Sequence, residues 1–157
     1  MSKLLNVFSS SFKMRLYFFK KLPSLFFWGV GVEKIDRTMA KISIKYGWKT
    51  QNPFGSIYFS ALAGTAELST GLLAMLAIEK EDVSMLVVGM QARFMKKAKG
   101  KIVFTCEDGI KISKAVQNAI LTGEGQEVLA ISKGYNEEGD IVAEFDILWS
   151  FKKRNRD

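Results

Sequence analysis

The sequence has no histidine among its 157 residues and a single cysteine, Cys106. Without imidazole there is no Ser-His-Asp or Cys-His nucleophilic machinery, no histidine acid/base chemistry and no imidazole-based zinc site. One cysteine builds neither an internal disulfide framework nor a thiolate metal site, and it suits a reducing cytosol. Cys106 closes the apolar run Ile102-Val103-Phe104-Thr105, so a core or half-buried thiol is expected. Catalysis in this chain would have to rest on carboxylates, hydroxyls, lysines, backbone amides or water. No metal site and no separate cofactor are expected.

Proline is also scarce, with Pro23 and Pro53 the two examples. The first should end or kink an N-terminal helix, and the second lies in a turn. Hydrophobic residues make up 48% and charged residues 25%, which fits a single globular domain with a real core. The net charge of +7 favours anionic partners. The positive charge concentrates at Lys96-Lys97-Ala98-Lys99 and in the terminal run Lys152-Lys153-Arg154-Asn155-Arg156, which reads as a solvated tail. No DNA- or RNA-binding motif accompanies it, so nucleic acid is disfavoured as a partner.

Residues 3–28 are apolar with basic punctuation. The spacing Leu4, Val7/Phe8, Phe12, Leu16, Phe19 suits one face of a single helix. Two readings stand: a helix packed over the domain, or an interfacial amphipathic helix or lid that meets a membrane surface or a lipid-like ligand. The apolar stretch from Leu22 to Val32 is too short to span a bilayer, and Lys20-Lys21 interrupt any signal-peptide core. The expected location is cytoplasmic, with peripheral membrane contact as the variant.

Residues 32–48 read as β-structure, with Lys41–Tyr46 alternating polar and apolar. The turn Asn52-Pro53-Phe54-Gly55 then leads into an apolar helix expected over 56–79, and Glu79-Lys80-Glu81-Asp82 should end it in solvent. Four strands are expected at 85–95, 101–106, 126–135 and 141–151, with a short helix over 110–122. The loop 136–140 is a hairpin signal. One long helix against a largely antiparallel sheet is an α+β layout in which the sheet curls around the helix, as in the hot-dog fold. The extension 1–30 and the domain 31–157 are the expected parts.

Glu67 is the one ionisable group in the twenty residues from Phe59 to Ile78. A carboxylate in an apolar helix is costly unless it is paired, protonated or chemically engaged. The segment from Asn52 to Glu67 also resembles hot-dog thioesterases related to phenylacetyl-CoA thioesterase. These share Asn-x-x-Gly-x-x-His-Gly-Gly with an Asp seven residues after the last Gly, and some hot-dog thioesterases use a Glu on this helix instead. Asn52, Gly55 and Glu67 match the Asn, first Gly and acid without a gap, whereas Tyr58 replaces His and Phe59-Ser60 replace Gly-Gly. The stretch from Ala92 to Lys101 is similar to the family strand that ends in basic residues beside the CoA phosphates. The likeness covers residues 32–151 and extends to a bacterial branch of thioesterase-like proteins.

The resemblance implies hydrolysis of an acyl-CoA or acyl-carrier thioester. The amides of Phe59 and Ser60 would form an oxyanion hole at the helix start, and Glu67 would activate water or attack directly. Asn52 and Tyr58 would orient carbonyl or water, Gly55 would shape the turn and Thr70 would line the pocket. Arg93, Lys96, Lys97 and Lys99 would meet CoA phosphates, CoA being part of the substrate. A dehydratase is disfavoured, because the related dehydratases need a histidine. Phe59 and Glu67 stand eight residues apart, about 12 Å along a helix at ~1.5 Å per residue. A glutamate side chain spans less than half of that, so a homodimer or dimer of dimers with shared sites is expected. The alternatives are a non-catalytic acyl-CoA or fatty-acid binding protein, and a membrane-spanning helix over 59–78, which Glu67 and the strands after it disfavour.

Overall fold

The computed structural model describes residues 2–154. Asn155 and Arg156 of the basic C-terminal run lie outside them. Three helices open the chain: α1 (Lys3–Phe8), α2 (Ser11–Lys21) and α3 (Pro23–Trp28). Strands β1 (Gly31–Ile35) and β2 (Ala40–Lys45) precede the long α4 (Phe59–Ala77). Then come β3 (Val83–Phe94), β4 (Lys101–Cys106), α5 (Gly109–Thr122), β5 (Gln126–Tyr135) and β6 (Ile141–Lys153). The six strands form one antiparallel sheet in the order β1-β2-β4-β5-β6-β3.

The α+β layout matches the expectation, because alternation and helical periodicity both survive in the packing. In β6, Ala143, Phe145, Ile147, Trp149 and Phe151 all point into the core, as period-2 spacing requires. The helix α4 contacts β2, β4, β5 and β6, so the sheet curves around it. Although α4 is long and apolar enough to cross a bilayer, most of it is buried inside the protein, and it is a core helix. Cys106 is fully buried, and loss of hydration pushes its thiol up to about 12, which makes it inert.

Buried hydroxyls fasten α4 to the sheet. Ser69 Oγ and Ser132 Oγ lie 2.7 Å apart, and Trp149 Nε1 donates to Thr70 Oγ1 at 2.9 Å. Thr70 in turn donates to the Glu67 carbonyl at 2.9 Å. Thr70→Val keeps the shape but leaves a buried indole N–H unsatisfied, which costs roughly 1–3 kcal/mol. The expected result is a lower urea midpoint with an unchanged m-value. An unchanged midpoint would show that the indole bond contributes nothing.

Two expectations about helix boundaries are corrected. The N-terminal segment is not one helix. Ser10 caps α2 by accepting from Lys13 N, and this break resets the helical phase. Phe8, Met14 and Phe18 therefore face the core, whereas Phe12, Leu16 and Phe19 face outward. Glu79 does not end α4 in solvent either. Its Oε1 accepts from Leu4 N at 2.8 Å and its Oε2 lies 3.6 Å from Arg37 Nη2, so it ties α1 to the end of α4. The Leu4 bond, the Ser2 hydroxyl and Arg37 all hold its carboxyl below the usual range.

Candidate active site

The loop between β2 and α4 is built by one side chain. Asn52 Oδ1 accepts from Phe54 N at 3.0 Å and Ser56 N at 3.2 Å, while Nδ2 donates to Ser56 Oγ and the Ile57 carbonyl. Both ends of the carboxamide are thus engaged within the loop. Asn52 positions the loop rather than projecting a free polar group, a role that spacing alone did not reveal. Gly55 sits at φ +73°, a left-handed conformation that favours glycine, and it closes the turn. Ile57 N donates to the Ala98 carbonyl at 2.9 Å and Tyr58 N to the Thr50 carbonyl at 2.7 Å, which fixes where α4 begins.

The start of α4 has no cap. Tyr58 is the N-cap with extended backbone and makes no side-chain capping bond. Neither Phe59 nor Ser60 donates its amide to another described residue. These free N–H groups carry the positive end of the helix dipole. Beside the first turn lies a cleft of about 460 Å³, lined among others by Asn52, Phe54, Tyr58, Phe59, Phe94 and Met95, with Lys96 and Lys97; Ser60 does not line it. Lys97 Nζ donates to the Phe54 carbonyl at 3.2 Å, and Lys96 Nζ pairs with Asp140 at 2.7 Å. Phe54, Phe94 and Met95 were not singled out in the sequence. For Phe94 and Met95 the signal was an apolar pair at the end of an expected strand, whereas Phe54 lies in the turn before α4.

Glu67 stands apart from this cleft. It is partly buried, accepts no hydrogen bond among the described residues, and loss of hydration pushes its carboxyl up. A Cβ at Gly71 would come within 3.0 Å of its Oε1, so the small residue one turn on makes room for the carboxylate. Tyr17 of α2 lies close enough for Glu67 to raise its phenol, after the larger effect of burial. Fifty residues separate the two in sequence, so no local pattern could have joined them. Thr70 faces the sheet, with its hydroxyl engaged by Trp149, and does not open on the cleft. Arg93 lies on the exposed side of β3 with its guanidinium held by Glu144 and Asp146. Lys99 is exposed and does not line the cleft.

A family model described as a domain of unknown function, DUF4442, matches residues 13–151. The chain belongs to the DUF4442 family. Its solved neighbours agree with the thioesterase-like resemblance read from the motif. A Pseudomonas aeruginosa protein of unknown function, described as a probable thioesterase, is 22% identical with a TM-score of 0.76. That match covers 94% of this chain and 99% of the other. A Haemophilus influenzae thioesterase is 10% identical over 92% of this chain and 91% of its own, with a TM-score of 0.67. A Chlorobaculum tepidum protein of unknown function is 16% identical over 90% and 93%, with a TM-score of 0.76. At these identities the likeness establishes the hot-dog fold of this DUF4442 chain. No curated protein sequence matches significantly.

Proposed function

We propose that this DUF4442 protein hydrolyses an acyl thioester, with CoA or an acyl carrier as the thiol half. The observation that carries the reading is the start of α4, which has no side-chain cap and whose first residue, Phe59, lines an aromatic cleft rimmed by Lys96 and Lys97. The Haemophilus influenzae and Pseudomonas aeruginosa neighbours described as thioesterases support it.

The chemistry follows from the groups present. The thioester oxygen accepts from the Phe59 and Ser60 amides, which stabilise the negative charge that develops on it. A glutamate takes a proton from water while the water oxygen bonds to the carbonyl carbon. Collapse of the tetrahedral intermediate breaks the carbon–sulfur bond, and the protonated glutamate returns the proton to the departing thiolate. Lys96 and Lys97 meet the phosphates of CoA, and the aromatic lining receives the acyl chain. Asn52 contributes by holding the loop.

Glu67 and the start of its own helix cannot reach one carbonyl, so each site uses Glu67 of the partner subunit. The sheet supports this assembly. At one edge, the twelve-residue β3 is bonded on one side only, by β6, with a register shift between Val87 and Gly89. Leu86, Val88 and Met90 are exposed along it, and Arg93 is its one charged residue. A long apolar edge with so little charge is a pairing surface, and a second β3 related by a two-fold axis would satisfy it.

A second reading has its own support: the cleft contains no titratable carboxylate, so a single chain could hold an acyl-CoA without cleaving it. Thiol release from a panel of acyl-CoAs separates the two. Turnover supports hydrolysis and reports the preferred chain length. Saturable binding with no release at high protein concentration would contradict hydrolysis and leave an acyl carrier or binding protein.

A further inference from the structure

The helix α2 carries two apolar faces. Met14 and Phe18 are buried against the domain. On the opposite side, Phe12 is 79%, Leu16 46% and Phe19 61% exposed, at i, i+4 and i+7. Basic residues flank this outward stripe. At 100° per residue, Arg15 borders it on one side and Lys13 and Lys20 on the other. From Ser2 to Val32 the chain has five Lys and Arg and no Asp or Glu. Among the described residues, Lys13, Arg15, Lys20 and Lys21 form no ion pair.

A soluble surface helix buries one apolar stripe and presents polar residues on its other face. An outward apolar stripe between unpaired cations instead matches the boundary of an anionic bilayer, where rings and aliphatic groups enter the acyl edge and lysines meet lipid phosphates. The surroundings extend the match. A shallow apolar groove of about 290 Å³, formed by Val7, Leu16 and Tyr17, is rimmed by Lys13, Lys20 and Lys21. Phe19 also stacks edge-on against Phe26 of α3, over which Arg15 lies at 4.9 Å. We propose that the outward face of α2 docks this protein on an anionic lipid surface. The charge decides the occupant: a segment with five cations and no acid is complementary to lipid phosphate, and it would repel the same segment of a second copy.

The proposal does not depend on the thioester reading, and its test needs no substrate. The full chain is sedimented with vesicles of phosphatidylcholine alone and with vesicles that also contain phosphatidylglycerol. The wild type should bind the anionic vesicles, leave the neutral ones, and be released by high salt. Phe12→Ser/Phe19→Ser and Lys20→Ser/Lys21→Ser should each weaken binding at least about tenfold. All four side chains are exposed, so both variants should fold, as circular dichroism will check. If the aromatic pair misfolds, the lysine pair carries the test. Failure of the wild type to bind anionic vesicles would overturn the proposal, as would binding that neither variant weakens. So would a wild type that ignores vesicles while Phe12→Ser/Phe19→Ser reduces its mass in solution, since the face would then belong to a second copy.

Discussion

Glu67→Gln is expected to lower kcat/KM for acyl-CoA hydrolysis by about 10²–10⁴-fold, the usual range for loss of a general base. The amide keeps the size of the side chain and takes away its ability to accept a proton from water. The pH profile gives a second signature. Burial raises the Glu67 carboxyl above its ordinary value of 4.5, and water activation needs the ionised form. The acidic limb of the wild-type profile should therefore lie above the ordinary carboxylate range, and the residual activity of Glu67→Gln should lack that limb. Stability should move the other way. A carboxyl raised in the folded state favours the fold below its unfolded pKa, and that contribution is lost as pH rises through the folded value. Glu67→Gln should then match the wild type in acid and be more stable at neutral pH. Lost activity with gained stability separates a functional carboxylate from a structural one. Equal turnover by both proteins would remove Glu67 from the mechanism.

Gly109→Ala should have the largest effect on folding. Gly109 opens α5 directly against the turn between β1 and β2, where its N–H donates to the Thr38 carbonyl at 3.0 Å. An added Cβ would stand 2.2 Å from the Arg37 carbonyl oxygen and 2.7 Å from that of Thr38. Both obstacles are backbone, and the turn is locked because Asp36 Oδ1 accepts from Thr38 N, Thr38 Oγ1 and Met39 N. Overpacking costs typically 1–3 kcal/mol, and here no flexible side chain can yield, so a loss of about 3 kcal/mol is expected. For a chain of this length that lowers Tm by about 10 °C. Gly125→Ala is the control, since an added Cβ there meets nothing within 4 Å. Equal melting of the two variants would mean that the turn moves freely and does not brace α5.

Much of this architecture was legible because its causes are local. The alternation in β6 and the hairpin at 136–140 come from neighbouring residues, and the observed strands follow them. The apolar run of α4 was equally plain. The N-terminal face was misread because continuous periodicity was projected through Ser9-Ser10, where a capping hydroxyl restarts the helix. Glu79 looked like a solvent terminator because its partners, Leu4 and Arg37, lie far away in sequence. The candidate site divides in the same way. Glu67 stands out in the sequence, but α4 begins at Phe59 rather than at Ser56, because Asn52 holds Phe54, Ser56 and Ile57 in a local loop ahead of it. Two further placements depend on long-range packing, Arg93 held by β6 and Tyr17 laid beside Glu67.

The shared site can be tested by mixing two defects. Phe59 is the first residue of α4, where proline is well tolerated, and Tyr58 before it already has the extended backbone that a following proline prefers. Phe59→Pro therefore deletes the leading oxyanion donor with little structural cost, whereas Phe59→Ala keeps that amide. Losing one such donor costs about 10²–10³ in kcat. The decisive measurement is thiol release by a dimer purified through two different tags, one chain carrying Glu67→Gln and the other Phe59→Pro. If each site takes its amide from one chain and its carboxylate from the other, this dimer keeps one intact site and about half the wild-type rate. Activity no higher than that of the two single-variant dimers would contradict the shared site.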